Sequence, residues 1–492
     1  MIGIVAYGAY LPRLRLSRQA VFEANAWYAP QFAGKARGHR AMANWDEDSV
    51  TLAVAAARDC LGPDDDRSRV RALTLASSSL PFAERLNAGI VAEALTLDER
   101  IQAQDVTGSQ RIALSAIGQA LAAVRGGQGE SLVLAADCRD TSAASGSELD
   151  YGDGAAAVLL GETGVLAEFL GAAHRTVDFV DRFRLAGETV DYHWEERWIR
   201  DEGISKLMPV LIGEALADAD LDASAVNHFI FPGIFPKMDA QLAARCGIAA
   251  GAVVDNLNSQ VGDTGVAHGL LLLASVLERA QPGQVILLAQ FGNGGEALVF
   301  RVTEAINRFR PRVGVSGWLA RGQEETRYTR FLSFKGQLRL ERGMRGEQDK
   351  KTALTTLYRH RRAILGLVAG RCRETGQVHF PPSRVNYTPG QPLQDTQQPW
   401  KLAERQGRVL SWSAEYLSWH MSPPNQYGQV DFDGGGRILL EFTDVERGDV
   451  STGCEVEMVF RIKDVDEKRG FNRYFWKATP VRRGNTHADQ AE

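Results

Sequence analysis

At 492 residues, with 44% hydrophobic and 24% charged residues, the chain is long enough for two or three domains with full hydrophobic cores. A net charge of -5 gives no basic footprint for nucleic acid or an anionic membrane, and no apolar run approaches the roughly 18 to 20 residues of a membrane span. Five dispersed cysteines without framework spacing, and a start that enters the strand-like Ile2-Gly-Ile-Val-Ala without a basic leader, predict a soluble cytoplasmic protein.

From residue 1 to about 303, short Val/Ile/Leu/Ala strands alternate with longer helices, the texture of a sheet covered on both faces. A first unit runs through Ala72-Leu-Thr-Leu-Ala76, then a strand, a small-residue turn and an apolar helix over 103–121. It continues through Ser131-Leu-Val-Leu-Ala-Ala-Asp137 to Tyr151-Gly-Asp-Gly-Ala-Ala-Ala-Val-Leu-Leu160. Residues 176–203, which include Asp191-Tyr-His-Trp-Glu-Glu-Arg-Trp198, break the alternation and are read as a cap-like insertion. The second unit repeats the first: His228-Phe-Ile-Phe231, strand, turn and helix over 253–277, Gln284-Val-Ile-Leu-Leu-Ala-Gln-Phe291, and Gly292-Asn-Gly-Gly-Glu-Ala-Leu-Val-Phe300. Two similar α/β halves, about 1–170 and 205–303, are therefore expected to pack with chemistry at their seam.

Residues 308–346 are basic and aromatic with scattered Gly and Pro, and Leu354, Leu357, Ile364 and Leu367 fall near one helical face within 350–369. Residues 304–369 are thus predicted to be a connector with a helix. Beyond residue 370, Pro381 and Pro382, turns at Thr388-Pro-Gly390 and Asp433-Gly-Gly-Gly436, and alternating strands such as Arg437-Ile-Leu-Leu-Glu-Phe442 predict a small all-β barrel to about 480. The tail 481–492 is polar and expected to fray.

The duplicated half, with its Gly152-Asp-Gly-Ala155 turn and strand, resembles the thiolase superfamily, in particular ketoacyl-carrier-protein synthase III and hydroxymethylglutaryl-CoA synthase. Arg371-Cys-Arg-Glu-Thr-Gly-Gln-Val-His-Phe-Pro-Pro382 and Gly470-Phe-Asn-Arg-Tyr-Phe-Trp476 resemble the OB-fold domain that accompanies acyl-CoA thiolases. The resemblance implies an α/β, thiolase-like duplicated αβαβα domain followed by an OB-fold barrel. It also implies an acyl-CoA substrate, no tightly bound cofactor besides the CoA of that substrate, and a homodimer through the α/β domain near Thr141–Ser147. Sedimentation showing only a species near 53.8 kDa at micromolar concentration would contradict the dimer.

The family's three catalytic positions all differ here. Gln110 falls where the acyl-accepting cysteine belongs, at a helix start that would lower a thiol's pKa. Pro232 and Gly233 stand where the histidine follows its strand, and Asp263 replaces the Asn of a Gly-Asn-Thr turn. The ribbon is equally reduced: Thr375 stands for a cysteine partner of Cys372, and Arg384 and Val385 for another cysteine pair. One thiol, even with His379, does not complete a tetrahedral zinc site, so no metal is expected.

The remaining candidates each carry two readings. Ser109 is either a nucleophile or, more economically, a helix cap. Gln110 suits hydrogen bonding to a thioester rather than attack. Asp263 is either an N-cap or a general base whose pKa burial would raise; His268, one turn after Thr264, either joins it or is structural. Tyr192, His193, Glu195 and Glu196 either roof a substrate or form a solvated face. Gly292 and Gly294 resemble the family segment whose backbone N–H helps form an oxyanion hole. Together these predict carbon–carbon bond chemistry beside a CoA thioester without a cysteine nucleophile, of aldol or retro-aldol type. The alternatives are a hydroxymethylglutaryl-CoA synthase-like condensing enzyme or acyltransferase, and a non-catalytic acyl-CoA-binding scaffold.

Overall fold

The computed structural model describes residues 1–64, 66–346, 353–386 and 393–482. Its centre is a nine-stranded mixed sheet. In spatial order the strands are Val226–Ile230, Val285–Phe291, Gly294–Val302, Ala167–Thr176, Gly3–Tyr10, Gly154–Gly161, Glu130–Asp137, Val70–Ala76 and Gln102–Val106. The two halves follow one scheme. A parallel pair (Val226–Ile230 with Val285–Phe291, or Val70–Ala76 with Glu130–Asp137) is followed by two antiparallel neighbours. The halves meet where Gly3 and Ile4 pair with Glu168 and Ala167. The edge strand Gln102–Val106 has as its counterpart a single bridge between Phe229 and Val253.

The duplication places two apolar helices, Ile112–Arg125 and His268–Leu277, at equivalent points, and both bury their side chains in one core. Strands such as Gly154–Gly161 and Val285–Phe291 are buried along their whole length, which is why they carry unbroken apolar runs instead of alternation.

The connector differs from the expectation. Residues 308–346 are not a plain linker: the helices Gly314–Ala320 and Tyr328–Phe334 and the strand Gln323–Glu325, which pairs with Leu14–Ser17, pack on the α/β body. Phe331 is fully buried there. Nor does one helix extend to residue 369. Residues 350–352 lie outside the described residues, the helix Leu354–Arg359 gives way at His360 to the short turn Arg361–Ile364, and Val368–Cys372 is already a strand.

The strands Val368–Cys372, Val378–His379 and Gln397–Lys401 form the reduced ribbon. Cys372 Sγ lies 3.1 Å from Thr396 Oγ1, Asn386 Nδ2 donates to Thr375 Oγ1 (3.0 Å), and His379 Nε2 lies 3.0 Å from Asn386 Oδ1. Hydrogen bonds hold the knuckle, and among the described residues no cluster of three or more His, Cys, Asp or Glu gathers in metal-binding reach. Five antiparallel strands, Gly407–Glu415, Asn425–Phe432, Arg437–Glu441, Glu455–Asp466 and Phe471–Pro480, make the barrel. The turn expected at 388–390 and the tail from 483 lie outside the described residues. Among the described residues no helix is long and apolar enough to cross a membrane.

Candidate active site

The two halves hold each other by their turns, and this builds the site. The turn before the first-half strand Gly154–Gly161 bonds directly to the second-half helix start. Gly152 N–H donates to Asp263 O (2.9 Å), and Asp263 N–H donates to Asp150 O (2.8 Å). Only glycine fits at 152, because a Cβ would stand 1.8 Å from Val261 O. Reciprocally, the first-half helix start rests on the second-half turn: Ser109 Oγ and Arg111 Nε both donate to Gly292 O (2.9 Å each), and Gln290 Nε2 donates to Gln110 O (3.0 Å). Asp137, at the end of its strand, accepts from Val266 N in the other half (2.9 Å).

Between these turns lies a cavity of about 330 Å³. Its lining combines apolar side chains, Phe231, Ile234, Phe235, Phe291, Ile199 and Ile204, with polar ones, Gln110, Arg139, Tyr151, Arg182, His193 and Asp263. The insertion 176–203 closes it. Arg182–Phe183 pairs with Tyr192–His193 as a small ribbon, and Trp194 N–H bonds Asp181 O (3.0 Å). The chain then enters a wide turn in which Ser205 N–H reaches back to Arg200 O, a feature common near functional sites. Phe179 stacks on Trp198 and meets Phe291 edge-on, seating the cap on the apolar part of the lining.

The charges are tightly committed. Arg139, almost wholly buried, bonds both the backbone O of Asp263 (2.5 Å) and its carboxylate (3.3 Å), and its guanidinium lies 3.5 Å from the centre of the Tyr151 ring. Asp191 bonds Arg182 (3.0 Å), faces Arg184 (3.6 Å) and accepts from Tyr151 Oη (3.3 Å). Tyr151 Oη also bonds His193 Nε2. With its amide assigned so that oxygen faces the guanidinium, Gln110 accepts from Arg182 Nη1 (2.6 Å).

The expected residues separate on this geometry. Gln110, Asp263, His193 and Glu196 line the cavity; Ser109, His268, Tyr192, Glu195, Gly292 and Gly294 are not among its lining residues. Ser109 Oγ accepts from Arg111 N at 3.4 Å while it donates to Gly292 O, so the hydroxyl is tied into the turn ahead of the helix, whose N-cap position is Arg111. His268 is fully buried, accepting from Thr264 N at Nδ1 (3.1 Å) and bonding Asn256 O through Nε2 (2.9 Å), and burial lowers its pKa. The Gly292 N–H is turned to Gly294 O (3.1 Å) within its own hairpin, so it is not offered to a ligand as an oxyanion donor. Gly294 has φ 107° and packs against Arg175 O, where a side chain would collide. Tyr192 is exposed, tilted against Phe183 and near Trp194 but not itself lining the cavity, and Glu195 is exposed before the short helix Glu196–Trp198.

Asp263 corrects one expectation directly. Burial pushes its carboxyl up, but Arg139 first, then His268, the Gly265 N–H (2.9 Å) and Arg182 outweigh burial and hold it below the ordinary aspartate range. Its carboxylate is an ion-pair partner of Arg139 and caps the turn through the Gly265 N–H. Sequence reasoning missed Tyr151, Arg139, Arg182 and Asp191. Tyr151 carried a signal, standing one residue ahead of the Gly-Asp-Gly turn; the others come together only through the cap's path.

Residues 400–461 match the family model described as the ChsH2 C-terminal OB-fold domain. The chain is 27% identical over 342 residues to the hydroxymethylglutaryl-CoA synthase of Aeropyrum pernix, covering 68% of this chain and 94% of that protein. A solved structure of hydroxymethylglutaryl-CoA synthase complexed with CoA is similar at TM-score 0.61, with 18% identity over 71% of this chain and 95% of its own. 3-Oxoacyl-(acyl carrier protein) synthase III from Pseudomonas aeruginosa is similar at TM-score 0.55, with 21% identity over 61% of this chain and 98% of its own. The N-terminal body has the thiolase-like α/β fold of these synthases, and the C-terminal part is an OB-fold domain.

Proposed function

We propose that this chain is an enzyme that makes or breaks a carbon–carbon bond beside a CoA thioester, in the manner of the condensing enzymes it resembles. The observation that carries this reading is the cavity at the seam between the two halves. It is bounded by both helix starts and roofed by the insertion, and its lining combines polar acid–base groups with apolar side chains. The named relatives, synthases of hydroxymethylglutaryl-CoA, support condensation over a dedicated lyase. No tightly bound cofactor enters the proposal, because the thioester itself acidifies the neighbouring carbon.

A second reading, the aldol-type reaction without an acyl-enzyme, is favoured by one observation: Gln110 stands at the helix start and no cysteine lines the cavity. Both readings share the same central step, addition of a thioester enolate to a carbonyl or its reverse. Product analysis separates them. Acetyl-CoA with acetoacetyl-CoA, and 3-hydroxyacyl-CoA thioesters alone, are followed by mass spectrometry of both the thioesters and the intact protein. An acylated protein supports the first reading and turnover without an adduct the second, whereas binding without any turnover leaves only a scaffold. A second copy at the α/β domain remains part of the proposal, approaching near Thr141–Ser147 and the edge strand Gln102–Val106.

A further inference from the structure

The lining carboxylates other than Glu196 already have partners: Asp263 holds Arg139, Asp150 holds Lys35 (2.6 Å), and Asp181 accepts from Arg182 N (2.8 Å). Behind the wall, Asp191 holds Arg182 and Arg184. Glu196 is exposed. Tyr151 and His193 remain, two neutral proton carriers bonded to each other, with the Asp191 carboxylate 3.3 Å from Tyr151 Oη and no cation held by either through a hydrogen bond or ion pair. Tyr151 comes from the first-half turn and is only 1% exposed; His193 comes from the cap. Their contact therefore joins the cap to the first-half turn.

We infer that Tyr151 is a catalytic residue of this cavity and that His193 is the partner that holds its proton. The inference rests on the carbon–carbon bond chemistry proposed above. Burial raises the Tyr151 phenol and lowers the His193 imidazole, so at neutral pH both are uncharged. The single Tyr151 O–H has two acceptors in reach, Asp191 Oδ2 (3.3 Å) and the closer His193 Nε2; with Nδ1 protonated, His193 takes that proton, and Tyr151 lines the cavity. Arg139 over the ring favours negative charge developing on that oxygen.

In the cleavage direction the 3-hydroxyl proton passes to Tyr151 Oη as the phenol proton passes to His193 Nε2. The hydroxyl O–H electron pair becomes the new C=O bond, and the electron pair of the breaking C2–C3 bond moves into the thioester as its enolate. The enolate carbon then takes a proton back through Tyr151, and His193 returns to neutral. The step consumes no net proton, oxidant or metal, and its reverse is the condensation. This arrangement supplies from the cap the imidazole absent at Pro232 and Gly233.

Tyr151→Phe keeps the ring and its Arg139 contact while removing the O–H; His193→Gln keeps a polar side chain but cannot store the proton. The readouts are kcat and KM for carbon–carbon cleavage of hydroxymethylglutaryl-CoA and of bulkier apolar 3-hydroxyacyl-CoA thioesters, with circular dichroism melting alongside. Each variant is expected to lose on the order of 10² to 10⁴ in kcat with KM within about threefold. The double variant should be no worse than the poorer single one, because the pair acts as a unit. A merely structural role would instead shift melting and KM and give additive losses. If the wild-type chain turns over and both variants keep kcat within about threefold, the pair is overturned while the bond chemistry stands. If the wild-type chain leaves every thioester unchanged, the proposed function falls and takes the pair with it. Should Tyr151→Phe fail to fold, His193→Gln, altered outside the central sheet, decides the question alone.

Discussion

Asp263 holds Arg139 through its side chain and its backbone carbonyl at once, and this limits what the residue can do. Asn keeps the shape and the bond from Gly265 N, yet it leaves a nearly fully buried guanidinium without its counter-charge. Breaking a buried pair in this way costs about 3 kcal/mol. Because the folded-state pKa of Asp263 is depressed, its contribution is present above the ordinary aspartate range and is lost as pH falls below about 4. Urea unfolding of Asp263→Asn should therefore show a clear loss at pH 7 that persists to about pH 4 and narrows only below it. Equal midpoints at pH 7 would mean that the pair contributes nothing. Activity should fall as well, through Arg139 and the Tyr151 ring it covers, without Asp263 itself moving a proton.

At the level of elements, the helix starts are only as well placed as the turns they rest on. A Cβ at Gly292 would stand 2.7 Å from Ser109 Oγ and 3.2 Å from the backbone nitrogens of Gln110 and Arg111. Gly292→Ala should cost about 1 to 3 kcal/mol by overpacking and push Gln110 off the cavity wall. Gly213→Ala, in the helix Ser205–Asp218 where a Cβ meets nothing within 4 Å, is the matched control and should be neutral or slightly stabilising. Equal melting temperatures for the two variants would contradict the coupling of turn and helix. The repeat that frames this arrangement was legible in the sequence because Tyr151-Gly-Asp-Gly and Gly292-Asn-Gly-Gly mark the same turn in the two halves. Gln110 and Asp263 could be placed for the same reason. The cap could be located but not resolved. Nothing in the local pattern of 176–203 says that Arg182 pairs across to Asp191 or that His193 points inward while Tyr192 points out. That alternation is a strand property, whereas the residue types alone leave Tyr192, His193, Glu195 and Glu196 equally readable as a substrate roof or a solvated face. The connector was misjudged because its buried residues, such as Phe331 and Lys335, are spaced by tertiary packing and show no period of their own.

For the molecule as a whole, buried charge ties the barrel to the α/β body. Glu404 bonds Arg58 (2.8 Å), Arg67 (2.7 Å) and Arg312 (2.8 Å), while Arg461 reaches Glu47 (3.0 Å) and Asp444 (2.8 Å). Burial raises the Glu404 carboxyl, but Arg58, then Arg67 and Arg312, bring it down to about 2. A folded-state pKa below the unfolded one gives stability that is complete above about pH 4.5 and is lost as pH falls toward 2. The shift corresponds to about 3 kcal/mol. Glu404→Gln should therefore lower the melting temperature at pH 7 and flatten its acid dependence between pH 5 and 2; an unchanged acid limb would show that the arginines do not depend on this charge. With the barrel fixed, the seam cavity and its cap remain the place where the central claim is decided. The most direct test is mass spectrometry of the CoA thioesters after incubating the full chain with 3-hydroxyacyl-CoA thioesters, and with acetyl-CoA plus acetoacetyl-CoA. The account predicts a thioester with a carbon–carbon bond broken or newly formed, together with the matching carbonyl compound in the cleavage direction. Thioesters recovered unchanged, or hydrolysed to free CoA with every carbon–carbon bond intact, would contradict it.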